Sequence, residues 1–339
     1  MSVSPSLLRT FLASRGGAVP WRDWMEAALY DPDNGYYTRH IRTVGRTGDF
    51  STSATLSGHL ANAIRTWIQE QWDLAGRKLP LIEAGPGDGS LHHSILRGMG
   101  WLERRGLRSC LVERSPVLSK LQQVKLRAFR RRITWHGSME SALTECGGDA
   151  LIFSNELADA FPATLLQWHE GTWQEVWLVL ANNGGIGECL RPCPRSVASS
   201  ACDHAWDNGQ RIEVLESWRE WLAAWRTHWK NGAMLTIDYG GPPGDIYFRR
   251  PGGTVRGYRH HQRLPASALY PLMGQCDVTV DVNFTDLRQW GEAAGLTTVE
   301  CVRQSDFIRQ RTGAKREGSP GEWEAGEAFQ CLVQRPGNP

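Results

Sequence analysis

The sequence predicts an α/β fold: one mostly parallel sheet of seven strands with helices on both faces. Two observations carry that expectation. From residue 80 onward, short apolar runs alternate with segments of helical periodicity, the pattern of strands joined by crossover helices. The first apolar run ends in a glycine-rich turn that opens directly into a helical segment, as the strand-to-helix turns of nucleotide-binding sheets do. A chain of 339 residues with a hydrophobic fraction of 41% is long enough to bury the core such a fold needs.

The expected strands are Pro80–Ala84, Cys110–Glu113, Ile133–His136, Ala150–Ser154, Met234–Asp238, Thr298–Arg303 and Phe329–Val333. Between them Leu91–Glu103, Pro116–Arg130, Ile212–Lys230 and Thr285–Ala294 read as helices, the last closed by Gly295. Trp218, Trp221, Trp225 and Trp229 fall at helical spacing, which is the signature of a packed face rather than of a stacking row for substrate.

Residues 1–79 are expected as an N-terminal helical extension or lid, with one clear helix from about Ser57 to Trp72 whose apolar face is Leu60, Ile64, Trp67, Ile68 and Trp72. Residues 80–339 form the main domain. Two stretches break its alternation: 163–180, a hairpin around Glu170–Gly171, and 241–285, rich in turn residues. Both read as inserted substrate covers. Near the start, Leu7, Leu8, Phe11 and Leu12 share a face, whereas Arg9 and Arg15 with no acid before Asp23 have the composition of a transit peptide; the docked helix is preferred. With no clear presequence, a bacterial cytoplasm is expected over the mitochondrial matrix.

Charge excludes several classes. Lys and Arg number 38 against 36 Asp and Glu, and this near balance is not what a nucleic-acid protein uses to neutralise phosphates. No window approaches the roughly 18 apolar residues of a membrane span. The eight cysteines are scattered, in keeping with a reducing compartment. Cys189, Cys193, Cys202 and His204 are close in sequence but lack paired Cys-x-x-Cys knuckles, so no metal is expected.

The chemistry concentrates in Leu81-Ile82-Glu83-Ala84-Gly85-Pro86-Gly87-Asp88-Gly89-Ser90-Leu91. Gly85, Gly87 and Gly89 let the backbone turn sharply and a ligand approach closely. A dinucleotide site places its third glycine three positions after the second and needs no carboxylate in the strand; here position 90 is Ser and Glu83 precedes the turn, which favours S-adenosylmethionine, with Glu83 near its ammonium or that group's water. No Gly-Lys-Ser/Thr follows, so a phosphate loop is excluded. Glu113, at the tip of the second strand, is placed to accept bonds from both ribose hydroxyls, the alternative being a surface Glu before the Ser115-Pro116 helix entry. After the third strand, His136 or the backbone near Ser138 lies where an adenine would, unless Trp135 merely packs on the sheet edge. The fourth strand runs into Asn155-Glu156-Leu157-Ala158-Asp159, expected to face the reacting methyl. Glu156 and Asp159 suit a guanidinium held by two carboxylates, or Asp159 caps a turn.

These residues resemble the MidA-like (DUF185) methyltransferases, a family that includes the mitochondrial complex I assembly-factor arginine methyltransferase. The resemblance rests on Trp24 to Pro32 with Gly35-Tyr36-Tyr37, Gly48-Asp49-Phe50, the glycine loop, Glu113 to Pro116, Asn155 to Pro162, Ile237 to Gly240, Gly253 to Arg259, Asp277 to Phe284, and Gly326 to Phe329. It implies a class I (Rossmann-like) methyltransferase sheet with one antiparallel strand, S-adenosylmethionine as cofactor, a loop around Asp49 that closes over it, and methylation of a protein arginine. Two other functions fit the sequence: a small-molecule O- or N-methyltransferase with His260 or His261 as general base, and a catalytically silent assembly or scaffold protein. The acceptor is thus a protein or a small molecule, and a homodimer is compatible with the sequence.

Overall fold

The structure is a computed structural model, and it describes residues 6–40, 58–181, 185–193, 197–259, 262–313 and 326–337. The chain divides into two compact units. One comprises 43–157, 219–240 and 287–339; the other comprises 1–42, 158–218 and 241–286. The stretch read as an N-terminal extension is shared between them, and both inserted covers belong with the second.

The first unit is the α/β unit that the alternation predicted. Its strands are β1 (Leu81–Ala84), β2 (Ser109–Val112), β3 (Ile133–His136), β4 (Asp149–Asn155), β5 (Asn231–Gly241), β6 (Leu296–Arg303) and β7 (Phe329–Pro336). They lie in the order β6-β7-β5-β4-β1-β2-β3. From β5 to β3 every pairing is parallel, and β7 alone runs antiparallel to both neighbours. Parallel strands covered on both faces carry continuous apolar runs, and β1 and β2 are buried at every residue. Helix α1 (Gly58–Ala75) lays Leu60, Ile64, Trp67, Ile68 and Trp72 into the same core as Leu81, Leu111, Phe153 and Leu235.

Glycines and local pairing moved several helix limits. The helix expected over 91–103 is split at Gly98–Gly100 into α2 (Ser90–Gly98) and a single turn, Trp101–Arg104. The next is α3 (Pro116–Lys125), capped by the Ser115 hydroxyl and followed by a 3-10 stretch, Arg127–Arg132. The helix expected from Ile212 starts only at Glu216, because Arg211–Val214 is a strand paired antiparallel with Thr164–Gln167. Ile212, Glu213 and Val214 are buried in that strand, and the tryptophan spacing begins only at Trp218, inside the helix. Trp218, Trp225 and Trp229 are buried, and Trp229 Nε1 donates to the Ala150 carbonyl at 3.1 Å, as a packing role requires.

The second unit holds a five-stranded antiparallel sheet containing Ala18–Pro20, Thr164–His169, Thr172–Leu180, Ile186–Pro192 and Arg211–Val214. The hairpin turns at Glu170 and Gly171, with φ of 48° and 82°, the left-handed pair that a two-residue hairpin turn demands. A three-stranded sheet of Arg256–Arg259, Gln262–Pro265 and Asp277–Thr279 lies within the second expected cover. Buried Glu213 fastens that segment by accepting the Thr254 N–H at 2.8 Å and its hydroxyl at 2.9 Å. The N-terminal segment is docked: Ser6–Ser14 is helical, with Leu8 and Leu12 buried.

Candidate functional site

In a parallel sheet every strand ends on the same edge, so the loops after β1, β2, β3 and β4 gather there. Gly85, Gly87 and Gly89 all have positive φ, at 65°, 54° and 80°. Gly85 hydrogen-bonds its N–H to Val112 O at 3.0 Å, and a side chain on it would press to 2.6 Å from a Leu157 methyl. A Cβ at Gly87 would meet nothing within 4 Å, so there the loop faces open space, as a ligand cradle should. Asp88 accepts Ser90 N–H and hydroxyl, both at 2.9 Å, and is ion-paired to Lys125, which pins the start of α2.

Glu113 and the loop are joined by one buried amide. Gln122 Nε2 donates to Gly87 O at 2.7 Å and to Glu113 Oε2 at 3.1 Å, while Trp135 Nε1 donates to Gln122 Oε1 at 3.1 Å. Glu113 Oε1 accepts the Ser115 N–H at 2.8 Å. Burial pushes the Glu113 carboxyl up to about 7, against the pull of the Ser115 N–H and the Gln122 amide. Each carboxyl oxygen thus already accepts one hydrogen bond and keeps a further lone pair. Glu83 is buried, Oε2 lying 2.9 Å from Nδ1 of the buried His92, whose ring stacks on Phe153. Ser138 caps the helix Met139–Glu145, its hydroxyl accepting the Ser141 N–H at 3.3 Å. His136 is turned to Ser141 and Thr134, at 2.8 and 3.1 Å.

At the end of β4, Glu156 holds φ of 53°, a left-handed conformation that costs a non-glycine residue on the order of 1 kcal/mol. Its N–H donates to Ile237 O at 3.0 Å and its carboxylate accepts Asn155 Nδ2 at 3.1 Å. Asp238, fully buried at the end of β5, accepts the Leu157 N–H at 3.1 Å and fixes this turn. Asp159 belongs to the second unit. It is buried and accepts the Thr279 hydroxyl at 2.7 Å, 120 residues away, so its side chain does more than cap a local turn. Asp277 is buried in that same unit and accepts the Tyr37 hydroxyl at 2.8 Å. Burial, then the charge of Asp159, push its carboxyl up to about 7.

Asp49, His260 and His261 lie outside the described residues. Among the described residues Cys189, Cys193, Cys202 and His204 form no ligand cluster, and burial pushes the Cys202 thiol up. Cys110, His136 and Glu145 do come together, but the Thr134 hydroxyl sits among them, bonded to all three at 3.1 to 3.4 Å. That cluster is a satisfied hydrogen-bond network. His92 and Gln122 were not singled out in the sequence; Tyr37, Asp238 and Asp277 lie in segments that carry the family resemblance but were given no role there.

A glycine loop without phosphate-binding residues, an acid at the tip of the neighbouring strand, and this strand order define an S-adenosylmethionine-dependent methyltransferase of the α/β class. A family model of such methyltransferases, Methyltransf_28, matches residues 63–302, and the chain belongs to that family. It is 27% identical to the mitochondrial protein arginine methyltransferase NDUFAF7 homolog of Drosophila melanogaster, over 88% of this chain and 73% of the relative. It is 30% identical to mitochondrial NDUFAF7 of Danio rerio, over 85% of this chain and 72% of that one. A crystal structure of a Burkholderia thailandensis protein bound to S-adenosyl-homocysteine superposes with a TM-score of 0.81, at 22% identity, over 97% of this chain and 91% of that chain. The α/β methyltransferase-like fold, the enzyme class and the cofactor are therefore those expected.

The expected bacterial cytoplasm is corrected: these curated relatives are named mitochondrial proteins. That expectation leaned on the N-terminal segment, where an arginine-bearing apolar helix looks the same whether it docks or targets.

Proposed function

We propose that the protein methylates an arginine side chain of another protein. The carrying observation is Glu156, a carboxylate held by Asn155 in a strained turn at the ligand-binding edge of the sheet. The names of the relatives, protein arginine methyltransferases, support the same acceptor.

Bound S-adenosylmethionine supplies an electrophilic methyl on a sulfonium. Gly85, Gly87 and Gly89 make room for its amino-acid part, with Glu83 on the ammonium side; Glu113 takes the ribose hydroxyls; and Ser138 with its neighbours borders the adenine. A guanidinium is charged at any working pH and has no free lone pair. Glu156 localises that charge on two nitrogens by accepting their N–H bonds and leaves the third nitrogen nucleophilic. Within the second unit, Asp159 with Thr279 is assigned a substrate-binding role. The third nitrogen would take the methyl with S-adenosyl-homocysteine as the leaving group and would then lose one proton to solvent, so the product stays a monocation; the displacement depends on alignment, which a held guanidinium supplies.

The test uses the full chain, methyl-labelled cofactor and a mitochondrial lysate separated into protein and small-molecule fractions. Label is expected in protein, with transfer by Glu156→Gln reduced about 100-fold at unchanged S-adenosyl-homocysteine affinity. Label confined to small molecules, or an undiminished Glu156→Gln, overturns the reading.

A further inference from the structure

The near balance of charge over the whole chain conceals a strongly basic segment. Residues 104–132 carry ten Lys and Arg against one acid, Glu113. Arg105, Arg108, Arg127, Arg130 and Arg131 are exposed. Among the described residues none of these five forms an ion pair.

The fold gathers them on one edge. Arg108 directly precedes β2 and the Arg127–Arg132 stretch directly precedes β3, and Ser109 pairs with Ile133 in parallel register. Arg132 Nη1 donates to Arg104 O at 2.5 Å, and the Arg104 guanidinium lies 5.9 Å from the Phe129 ring, so the two basic segments are one surface. That surface is at the amino ends of β2 and β3, and β2 runs from it to Glu113 at the opposite edge.

Two large apolar side chains stand beside these cations. Trp101 and Leu102 are 65% and 68% exposed on the single helical turn that leads into Arg104 and Arg105. Arg105 lies over the Trp101 ring at 5.6 Å. The turn is rigid, since Lys78 Nζ donates to the carbonyls of Leu102, Glu103 and Arg105 at 2.6, 3.0 and 3.0 Å. A projection bearing Trp and Leu, with Arg105 over the ring and its one acid, Glu103, turned back to the Gly100 N–H, has the composition of an interfacial anchor: the ring and the isobutyl group enter the headgroup layer while arginines hold phosphates.

We infer that this face docks the enzyme on an anionic phospholipid surface. Phosphates take guanidinium forks bidentately, and a convex apolar tip suits a deformable bilayer. Peripheral docking is what this surface suits; among the described residues no helix is long and apolar enough to cross a membrane. Docked this way, the cofactor-binding edge of the sheet points away from the lipid and stays open to a protein substrate.

Flotation of the full chain with phosphatidylcholine vesicles, with and without phosphatidylglycerol, tests it. Binding is expected only to the anionic vesicles and should fall as salt rises. Each arginine near an anionic surface is worth about fivefold, so the variant R127Q/R130Q/R131Q should bind on the order of 100-fold more weakly. Trp101→Ser should weaken binding while leaving its salt dependence intact. Both variants should keep wild-type affinity for S-adenosyl-homocysteine, which shows them folded. Absence of binding to anionic vesicles at low salt, equal binding to neutral ones, or undiminished binding by the triple variant overturns the inference. Tighter capture by polyglutamate or single-stranded RNA than by vesicles does so too, and assigns the face to an acidic protein or a nucleic acid.

Discussion

Glu113 makes the pH dependence of cofactor binding calculable. Burial raises its carboxyl to about 7, whereas both carboxyl oxygens can accept from the two ribose hydroxyls only in the ionised form, so a two-point grip on the ribose expels the proton. For a group of pKa about 7 in the free protein that is ionised in the complex, the apparent dissociation constant carries a factor of 1 + 10^(7−pH). That factor is about 11 at pH 6 and about 1.1 at pH 8, a gain of roughly tenfold, or about 1.4 kcal/mol. Titration calorimetry with S-adenosyl-homocysteine, in buffers of different ionisation enthalpy, should show about 0.9 proton released at pH 6 and about 0.1 at pH 8. The ligand's own amino group titrates near pH 8 and contributes equally to wild type and variant, so Glu113→Gln is the control. In that variant the Glu113 component vanishes, and affinity at pH 8 falls about 10- to 100-fold with loss of the charge-assisted bonds. A wild type and a Glu113→Gln variant with parallel pH profiles would refute the ribose assignment.

The other predictions concern the supports of the site. Gly87→Ala should lower stability by only about 1 kcal/mol, because its Cβ meets nothing within 4 Å and only the positive φ is strained, yet cofactor affinity should fall sharply; calorimetric scanning beside ligand titration separates the two. His92→Ala strips the buried Glu83 of its partner and should cost about 3 kcal/mol, with His92→Gln retaining part of it, as read by thermal unfolding. Asp277 is raised from 3.8 to about 7 in the folded protein. Its contribution to stability is therefore fully present below pH 3.8 and is lost as pH rises through 7, a difference of about 4 kcal/mol at most. Asp277→Asn should remove that decline, and unfolding temperatures that fall with pH as steeply as in wild type would contradict it.

What could be read from sequence was local. The glycine loop, Glu113 and the parallel strands were legible because three glycines, a strand-end acid and apolar runs each act within a few residues of themselves. Glu156 and Asp159 were legible as carboxylates near a strand end, but the division of the chain between them was not, since it follows from which distant segments pair. Gln122 was invisible for a related reason: an amide on an amphipathic helix gains meaning only once Gly87 and Glu113 converge on it. Tyr37 and Asp277 meet across 240 residues. Ile212 was assigned to a helix although the tryptophan spacing begins only at Trp218; its place is set by strand pairing with Leu166, which is remote in sequence. The basic edge was missed since charges summed over a chain do not reveal which of them a sheet edge collects.

The most direct measurement is identification of the methylated product. The enzyme is incubated with labelled S-adenosylmethionine and mitochondrial protein, and the labelled polypeptide is hydrolysed to amino acids. The account predicts that the label co-migrates with an N-methylated arginine and falls about 100-fold when Glu156→Gln replaces the wild type. Label recovered in lysine, in a carboxyl ester or in no amino acid at all would contradict it.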